Sequence, residues 1–208
     1  MMITRNNYIK IFPFFRVILI YLLFYFNASS SAQNINENFI SVGINDAPVK
    51  IKVFSSLTCP HCANFHNKVV PKLKNYIDSG KVQIILIDFP LDQAAFNASK
   101  LLHCLDKRKQ ISFLDKIYET QDKWISGSTI EEINNNLKNI VQSFGISSID
   151  FDKCVNNDTI ADRILNSRID AHKKYSIEAT PTIIINEKKL TGPSDFNNIK
   201  KKIEKIIY

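Results

Sequence analysis

Two cysteines three positions apart lie at the junction between a predicted strand and a predicted helix. The run "VKIKVF" alternates apolar and polar residues from Val49 onward, which is the spacing of a half-buried strand. The motif "CPHC", Cys59 to Cys62, follows it, and apolar residues then recur at helical spacing until Gly80. The next apolar run, "KVQIILIDFP", is rich in β-branched residues and predicts a buried central strand. The cysteine pair is therefore expected at the first strand-to-helix junction of a strand, helix, strand unit.

A Cys-x-x-Cys pair has two main chemical interpretations, half of a zinc site or a dithiol that cycles through a disulfide. Zinc needs two more ligands, and the only local ones are His61 and His66, while the sequence has no second Cys-x-x-Cys. An inert disulfide is a third alternative. Because such pairs beside a βαβ pattern are typical of redox dithiols, we predict a redox-active pair with neither a metal nor a cofactor.

The residues of the motif predict different roles for the two sulfurs in thiol-disulfide exchange. Unpaired N–H groups and the positive end of the helix dipole would stabilise a thiolate at Cys59, and His61 can add a donor or a positive charge. Pro60 suits the first helical position because no hydrogen bond is lost there. We predict that Cys59 attacks and that Cys62, one turn deeper, resolves the mixed disulfide. His66, four positions after Cys62, could face the motif, but it is interpreted as a solvated or packed helix residue.

The first 32 residues differ in kind from the rest of the chain. Arg5, Lys10 and Arg16 precede the apolar stretch "VILIYLLFYF", and a run of small polar residues ends at Ala32. This pattern predicts a signal peptide over residues 1–32, with an uncleaved N-terminal membrane anchor as the alternative. We therefore expect the body of the protein outside the cytoplasm, in the periplasm.

The charge of the chain argues against one class of partner. The net charge of +7 is 27 basic minus 20 acidic residues, and without the three basic residues of the signal segment it becomes 24 − 20 = +4. A charge this weak and scattered does not favour binding to nucleic acid.

The remaining cysteines, Cys104 and Cys154, fall on segments with helical periodicity. Neither has a neighbouring cysteine or a proline-histidine spacer that would activate it, and export favours oxidation. We predict a structural disulfide between them. The alternative is two separate buried thiols.

The rest of the chain shows a helical stretch followed by a return of the strand signal. Residues from about 92 to 175 have helical periods, with Ser128 and Glu131 as a capping box. The segment "TPTIIINEKKLTGP" predicts a hairpin around Glu187, and a last helix would be capped by Ser194 or Asp195. In the first helix, Pro71 should cause a kink.

Taken together, these residues resemble the thioredoxin-fold disulfide oxidoreductases, and within them the DsbA-like family. The resemblance covers about residues 39–206 and rests on "CPHC" after a strand, the long helical segment after the second strand, and the late "ATPTIII". It implies an α/β, thioredoxin-like fold with an inserted helical subdomain at about 92–175. It also implies that Thr180 and Pro181 form a cis-proline loop that packs against the dithiol and holds an extended substrate segment.

The sequence departs from the family pattern at two places. Lys52 and Val53 stand where some family members carry an acidic residue below the active site, so a proton acceptor for Cys62 would be missing or supplied by Asp88. Ala179 replaces the glycine often found before the Thr-Pro pair.

The function implied by the resemblance is oxidation of other exported proteins. The enzyme would donate its Cys59–Cys62 disulfide to substrate proteins with cysteines, and a membrane redox partner would reset the dithiol. A disulfide reductase or isomerase is the alternative among enzymes. A third hypothesis is a non-catalytic exported module that binds a peptide or a metal ion.

Overall fold

The computed structural model describes residues 39–208, and the predicted signal peptide, residues 1–32, lies outside them. The strands of the described part are β1 (Ile40–Val42), β2 (Val49–Ser55), β3 (Val82–Asp88), β4 (Thr182–Ile185) and β5 (Lys188–Lys189). They form a mixed sheet in the order β1-β3-β2-β4-β5, in which only the β2 and β3 pair is parallel. The thioredoxin-like α/β fold predicted from the sequence is therefore confirmed.

The middle of the sheet is occupied by β2. Its alternation is visible in the structure, because Val49, Ile51 and Val53 are buried while Lys50 is exposed. The apolar run of β3 was predicted to form a buried central strand, and β3 is buried and pairs with β1 on one side and β2 on the other, so this prediction is confirmed. The three-residue β1 was not predicted, because it is too short to show a period.

The first helix, α1 (Pro60–Lys68), begins directly after the first cysteine of the motif. It ends at Val69 and continues as a 3-10 turn over Val70–Leu73 and a short helix, α2 (Lys74–Asp78). Pro71 lies in the 3-10 turn, where its missing N–H and its ring prevent a continuous α-helix. The predicted distortion at this proline is therefore confirmed.

The segment between β3 and β4 forms a helical lobe. Its helices are α3 (Gln93–Cys104), α4 (Lys107–Glu119), α5 (Gln121–Trp124), α6 (Ile130–Gln142), α7 (Ser148–Val155) and α8 (Asp158–Tyr175). The capping box lies one residue later than predicted: Thr129 Oγ1 accepts the Glu132 N–H at 3.2 Å, and Glu132 accepts the Ser128 N–H at 2.7 Å. The shift reflects the backbone, because Thr129 has the extended conformation of a helix cap.

The chain ends in the predicted hairpin and helix. Asn186 and Glu187 adopt left-handed φ values of 44° and 67° and connect β4 to β5. The last helix, α9 (Phe196–Ile207), is capped by Asp195, whose carboxylate accepts the Asn198 N–H at 2.9 Å. From residue 39 to residue 208, no helix has the length and apolar character needed to cross a membrane.

The largest apolar cluster joins the helical lobe to the cysteine motif. Leu57, Cys62 and Ala63 belong to the same buried cluster as Phe113 and Trp124 of the lobe. A separate cluster lies between the sheet and helices α1 and α9. The start of α1 is therefore packed directly against the lobe.

Candidate active site

Cys59 occupies the N-cap position of α1. Its backbone is extended, with φ −78° and ψ 120°, and Pro60 follows at the first helical position. The Cys59 carbonyl accepts the N–H groups of Cys62 at 3.0 Å and Ala63 at 3.1 Å, which are the first hydrogen bonds of the helix. Both sulfurs are free thiols, so the structure describes the reduced form. The placement is that of a dithiol at the positive end of a helix.

The Thr180-Pro181 loop borders the dithiol, 121 residues along the chain from Cys59. The peptide bond between Thr180 and Pro181 is cis, and the Cys59 Sγ lies 3.3 Å from the Thr180 carbonyl oxygen. The structure thus brings together Cys59, Cys62, Thr180 and Pro181, as the sequence predicted for the fold.

The two cysteines differ in their surroundings. Cys62 is only 1% exposed, whereas Cys59 is 9% exposed. Burial raises the pKa of Cys62 to about 12, and the neighbouring Cys59 acts in the same direction, while the Thr180 hydroxyl and the Ser56 N–H partly oppose them. Cys62 therefore stays protonated at neutral pH unless a reaction releases it as a thiolate. This asymmetry fits the predicted roles of Cys59 as attacking thiol and Cys62 as resolving thiol.

A cavity of about 20 Å³ lies behind Cys62; its lining is mostly apolar but includes a few polar side chains. Asp88, at the end of β3, is one of them. Its carboxylate pairs with His103 at 2.7 Å and accepts the Ser99 hydroxyl at 2.5 Å. Burial alone would raise the pKa of Asp88, but the charge and hydrogen bond of His103 outweigh it, so the pKa is lowered. Asp88 is thus a buried carboxylate in the same cavity as Cys62.

The two strand residues that depart from the family pattern have different positions. Val53 lines the cavity, so no charge stands there from β2. Lys52 instead bonds Glu187 and the Tyr175 hydroxyl and is absent from the cavity lining. The buried carboxylate that lines this cavity, Asp88, comes from β3, and its role as a proton acceptor for Cys62 stays a prediction.

The two histidines near the motif, His61 and His66, lie in different surroundings. His61 is exposed in the first turn of α1. His66 lines the cavity, pairs with Asp115 at 2.7 Å and packs on Tyr118 with ring centroids 4.9 Å apart. His66 is therefore a packed residue, as interpreted from the sequence, and it also connects the cavity to the exposed Asp115. In the part of the chain that the structure describes, no group of three or more His, Cys, Asp or Glu could hold a metal ion.

Residues of the lobe complete the surroundings of the dithiol, and sequence reasoning missed them. Tyr118 of α4 is buried; its burial and the nearby cysteines raise its pKa well above the ordinary value. Gln121 of α5 donates hydrogen bonds to the carbonyls of Leu57 at 2.8 Å and Cys59 at 3.1 Å. Helical periodicity identified Tyr118 only as a core residue, and no local signal singled out Gln121. Their proximity to the motif follows from long-range packing alone.

Cys104 and Cys154 are joined in a disulfide inside the lobe. The bond connects the last residue of α3 to α7, with the two Cα atoms 6.0 Å apart. Cys104 directly follows His103, the partner of Asp88. The Cys104–Cys154 disulfide thus holds the C-terminal end of α3, where His103 contacts Asp88.

Comparison with known proteins agrees with this geometry. The profile of a family described as Thioredoxin matches residues 35–205. A putative protein-disulfide oxidoreductase of Rickettsia bellii is 30% identical over 175 residues, covering 83% of this chain and 66% of the relative. A probable disulfide bond formation protein D of Bacillus anthracis is 32% identical over 173 residues, covering 79% of this chain and 76% of the relative. The chain thus spans slightly less than two thirds of the length of the rickettsial relative.

A solved structure gives the same result at the level of the fold. The crystal structure of alpha-DsbA1 from Wolbachia pipientis superposes with a TM-score of 0.73 at 30% sequence identity, covering 81% of this chain and 90% of that protein. A match over most of the described residues, together with the dithiol and cis-proline geometry, leaves one assignment. The chain belongs to the DsbA-like family of the thioredoxin superfamily.

Proposed function

We propose that the protein is an exported thiol:disulfide oxidoreductase that forms disulfide bonds in other exported proteins through Cys59 and Cys62. The observation that carries the proposal is the asymmetry of the pair at the cis-proline loop. Cys59 lies at the helix N-terminus beside the Thr180 carbonyl, while Cys62 lies behind it with its pKa raised to about 12. One sulfur is thus placed to meet a substrate and the other to close the internal disulfide.

The reaction proceeds in two exchange steps. A substrate thiolate attacks Cys59 Sγ of the oxidised protein, the Cys59–Cys62 bond breaks, and Cys62 is released as a thiolate that takes up a proton. A second substrate thiolate then attacks the substrate sulfur of the mixed disulfide and releases Cys59. The substrate loses two electrons and gains a disulfide, and the protein gains a dithiol. The redox group is the dithiol itself, so no cofactor is required.

The chain's own residues contribute to binding and to proton balance. The free edge of the Thr180-Pro181 loop can pair with an extended substrate segment next to Cys59. The cavity behind Cys62 is also lined by Asp88, a buried carboxylate. In the reverse step this carboxylate assists removal of the proton from Cys62, as a general base in a buried site does.

The partners and the compartment belong to the same proposal. The substrates are exported proteins with pairs of cysteines, and a membrane redox partner reoxidises the dithiol after each cycle. The signal-like segment over residues 1–32 supports a periplasmic location, either free after cleavage or held by an uncleaved anchor. Cell fractionation with mass measurement of the N-terminus distinguishes the two forms, and recovery of the chain in the cytoplasm would contradict both.

The direction of electron flow is tested by equilibrium with glutathione. Thioredoxin-fold proteins span about −270 mV for a reductase to about −120 mV for a strong oxidant. We expect a value at the oxidising end, because the positive end of α1 stabilises the reduced form at Cys59. A value near that of a reductase would favour the alternative of an extracytoplasmic reductase or isomerase.

Substitution of the two cysteines separates an enzyme from a binding module. The oxidised protein should restore activity to a reduced, unfolded enzyme that needs disulfides, and Cys59→Ser should abolish this. Cys62→Ser, mixed with a substrate that already contains a disulfide, should instead accumulate a mixed disulfide through Cys59, because the serine cannot release the bound substrate; the product is visible on a non-reducing gel. The matched control is the protein with Cys104 and Cys154 both changed to Ala, which keeps the dithiol. Full cellular function of Cys59→Ser would support the non-catalytic module.

A further inference from the structure

A glutamine of the helical lobe is bound to the backbone of the cysteine motif. Gln121, the first residue of α5, is only 7% exposed. Its side-chain Nε2 donates to the Leu57 carbonyl at 2.8 Å and to the Cys59 carbonyl at 3.1 Å. Both N–H bonds of one amide group are therefore used on the turn that leads into the dithiol. Neither bond follows from the periodicity of the lobe.

The two acceptors bracket the turn between β2 and α1. Leu57 lies in this turn with its side chain 2% exposed. The Cys59 carbonyl already accepts the N–H groups of Cys62 and Ala63, so Gln121 adds a third donor at the point where the helix begins. The Leu57 carbonyl, in contrast, has only Gln121 as a donor among the hydrogen bonds of residues 39–208, and a buried carbonyl without a donor destabilises the conformation that holds it. Gln121 therefore stabilises the conformation in which Cys59 caps α1.

The outer side of the same turn is held by different residues. Thr58 Oγ1 donates to the Asp92 carboxylate at 2.6 Å, and the Leu91 N–H donates to Ser56 Oγ at 3.3 Å. These groups lie toward the loop that follows β3, whereas Gln121 approaches from α5. Gln121 is thus the side chain through which the lobe fixes the Cys59 backbone.

The effect of this anchor depends on the redox state. In the disulfide form, the covalent bond to Cys62 restricts Cys59 by itself. In the dithiol form described here that bond is absent, and the position of Cys59 depends on non-covalent contacts such as Gln121. The amide also directs the positive ends of its N–H dipoles at the Cys59 backbone, which favours negative charge there. Both effects stabilise the reduced form more than the oxidised form.

We propose that Gln121 is a positioning residue of the dithiol, which makes the Cys59–Cys62 disulfide more oxidising by stabilising the reduced turn. The inference rests on the proposed thiol-disulfide exchange and adds a residue from the inserted lobe to it. Gln121 touches neither sulfur in the structure; it acts through the Leu57 and Cys59 carbonyls.

The test compares two glutamine-to-methionine variants of the full chain. Gln121→Met keeps the length of the side chain and removes both donors. Gln110→Met is the matched control, because Gln110 of α4 also donates from Nε2 to two backbone carbonyls, those of Leu102 at 3.3 Å and Leu105 at 3.5 Å, and neither carbonyl belongs to the turn that carries Cys59. For each protein, the equilibrium with reduced and oxidised glutathione is measured at pH 7, and urea unfolding reports stability.

Gln121→Met removes two hydrogen bonds and should shift the glutathione equilibrium toward the protein disulfide by about fivefold, because we expect the reduced form to lose the equivalent of one hydrogen bond more than the oxidised form. Gln110→Met should leave that equilibrium at the wild-type value, even if it unfolds at a lower urea concentration. Gln121→Glu should shift the equilibrium at least as far, because its carboxylate presents acceptors to two carbonyl oxygens.

Each contrary outcome has a separate meaning. If Gln121→Met unfolds more easily than the wild type but keeps the wild-type equilibrium, Gln121 is only structural and the inference is wrong. The same conclusion follows if both methionine variants shift the equilibrium equally. If the wild-type protein does not exchange with glutathione at all, the proposed function fails before the role of Gln121 is reached. Gln121→Met remains decisive if Gln121→Glu does not fold.

Discussion

Removal of the Cys104–Cys154 disulfide should cost a predictable part of the stability. The bond closes a loop with a sequence separation of 50 residues between α3 and α7. In the chain-entropy model, the closure lowers the entropy of the unfolded chain by 2.1 + 1.5R ln n cal/mol/K, which is about 14 cal/mol/K for this loop. At 25 °C this corresponds to about 4 kcal/mol. We expect the variant with alanine at both positions to lose this amount in its free energy of unfolding.

The assay is urea unfolding followed by circular dichroism. Both proteins carry Cys59→Ser and Cys62→Ser, so that no exchange can open the second disulfide during the measurement. With a slope of about 2 kcal/mol per M for a domain of this size, a loss of 4 kcal/mol lowers the midpoint by about 2 M urea. Because the unfolded chain without the bond is more expanded, its slope should be equal or somewhat larger.

A third sample, in which the Cys104–Cys154 disulfide is reduced but both cysteines are kept, separates the effect of the covalent bond on stability from the effect of side-chain packing. Protein with Cys104 and Cys154 intact but reduced by dithiothreitol keeps both sulfurs in the lobe and loses only the bond. It should match the alanine variant to within about 1 kcal/mol, the cost of small changes in a core. If the reduced protein instead retained nearly the full stability of the oxidised one, the loop-entropy argument would be refuted for this lobe.

Further predictions concern the dithiol and its cavity. At pH 8, iodoacetamide should label Cys59 far faster than Cys62, because a pKa of about 12 leaves roughly one Cys62 in ten thousand as thiolate; peptide mass spectrometry checks this, and equal labelling rates would contradict it. Asp88→Asn should lower the free energy of unfolding by about 2 kcal/mol at pH 7, since it weakens charge-assisted bonds to His103. Because the folded pKa of Asp88 is lowered, this contribution is complete above its unfolded pKa of about 4 and disappears as the pH falls through the folded value. If the wild type and Asp88→Asn differed equally in free energy of unfolding at pH 3 and pH 7, the Asp88–His103 pair would not be the source of the difference.

The parts of the fold that could be predicted from the sequence are those set by neighbouring residues. The alternation of β2, the helix after "CPHC" and the break near Pro71 depend on contacts within a few positions, and all are found. The hairpin around Glu187 follows in the same way from its turn residues. The short β1 and the place of β2 in the middle of the sheet depend on pairing between distant strands, so no local pattern contained them.

In the candidate site, too, the features set by neighbouring residues could be predicted from the sequence, whereas those set by long-range packing could not. The position of Cys59 at the start of α1 depends on neighbouring residues, so the sequence was sufficient to predict it. The raised pKa of Cys62 arises first from burial, and Tyr118 and Leu114 of α4 supply part of the wall that buries it. The inserted lobe therefore adds to the difference between the two sulfurs that the motif alone predicts. Since Gln121 comes from the same lobe, changes in lobe packing should alter the reactivity of the dithiol without touching either cysteine.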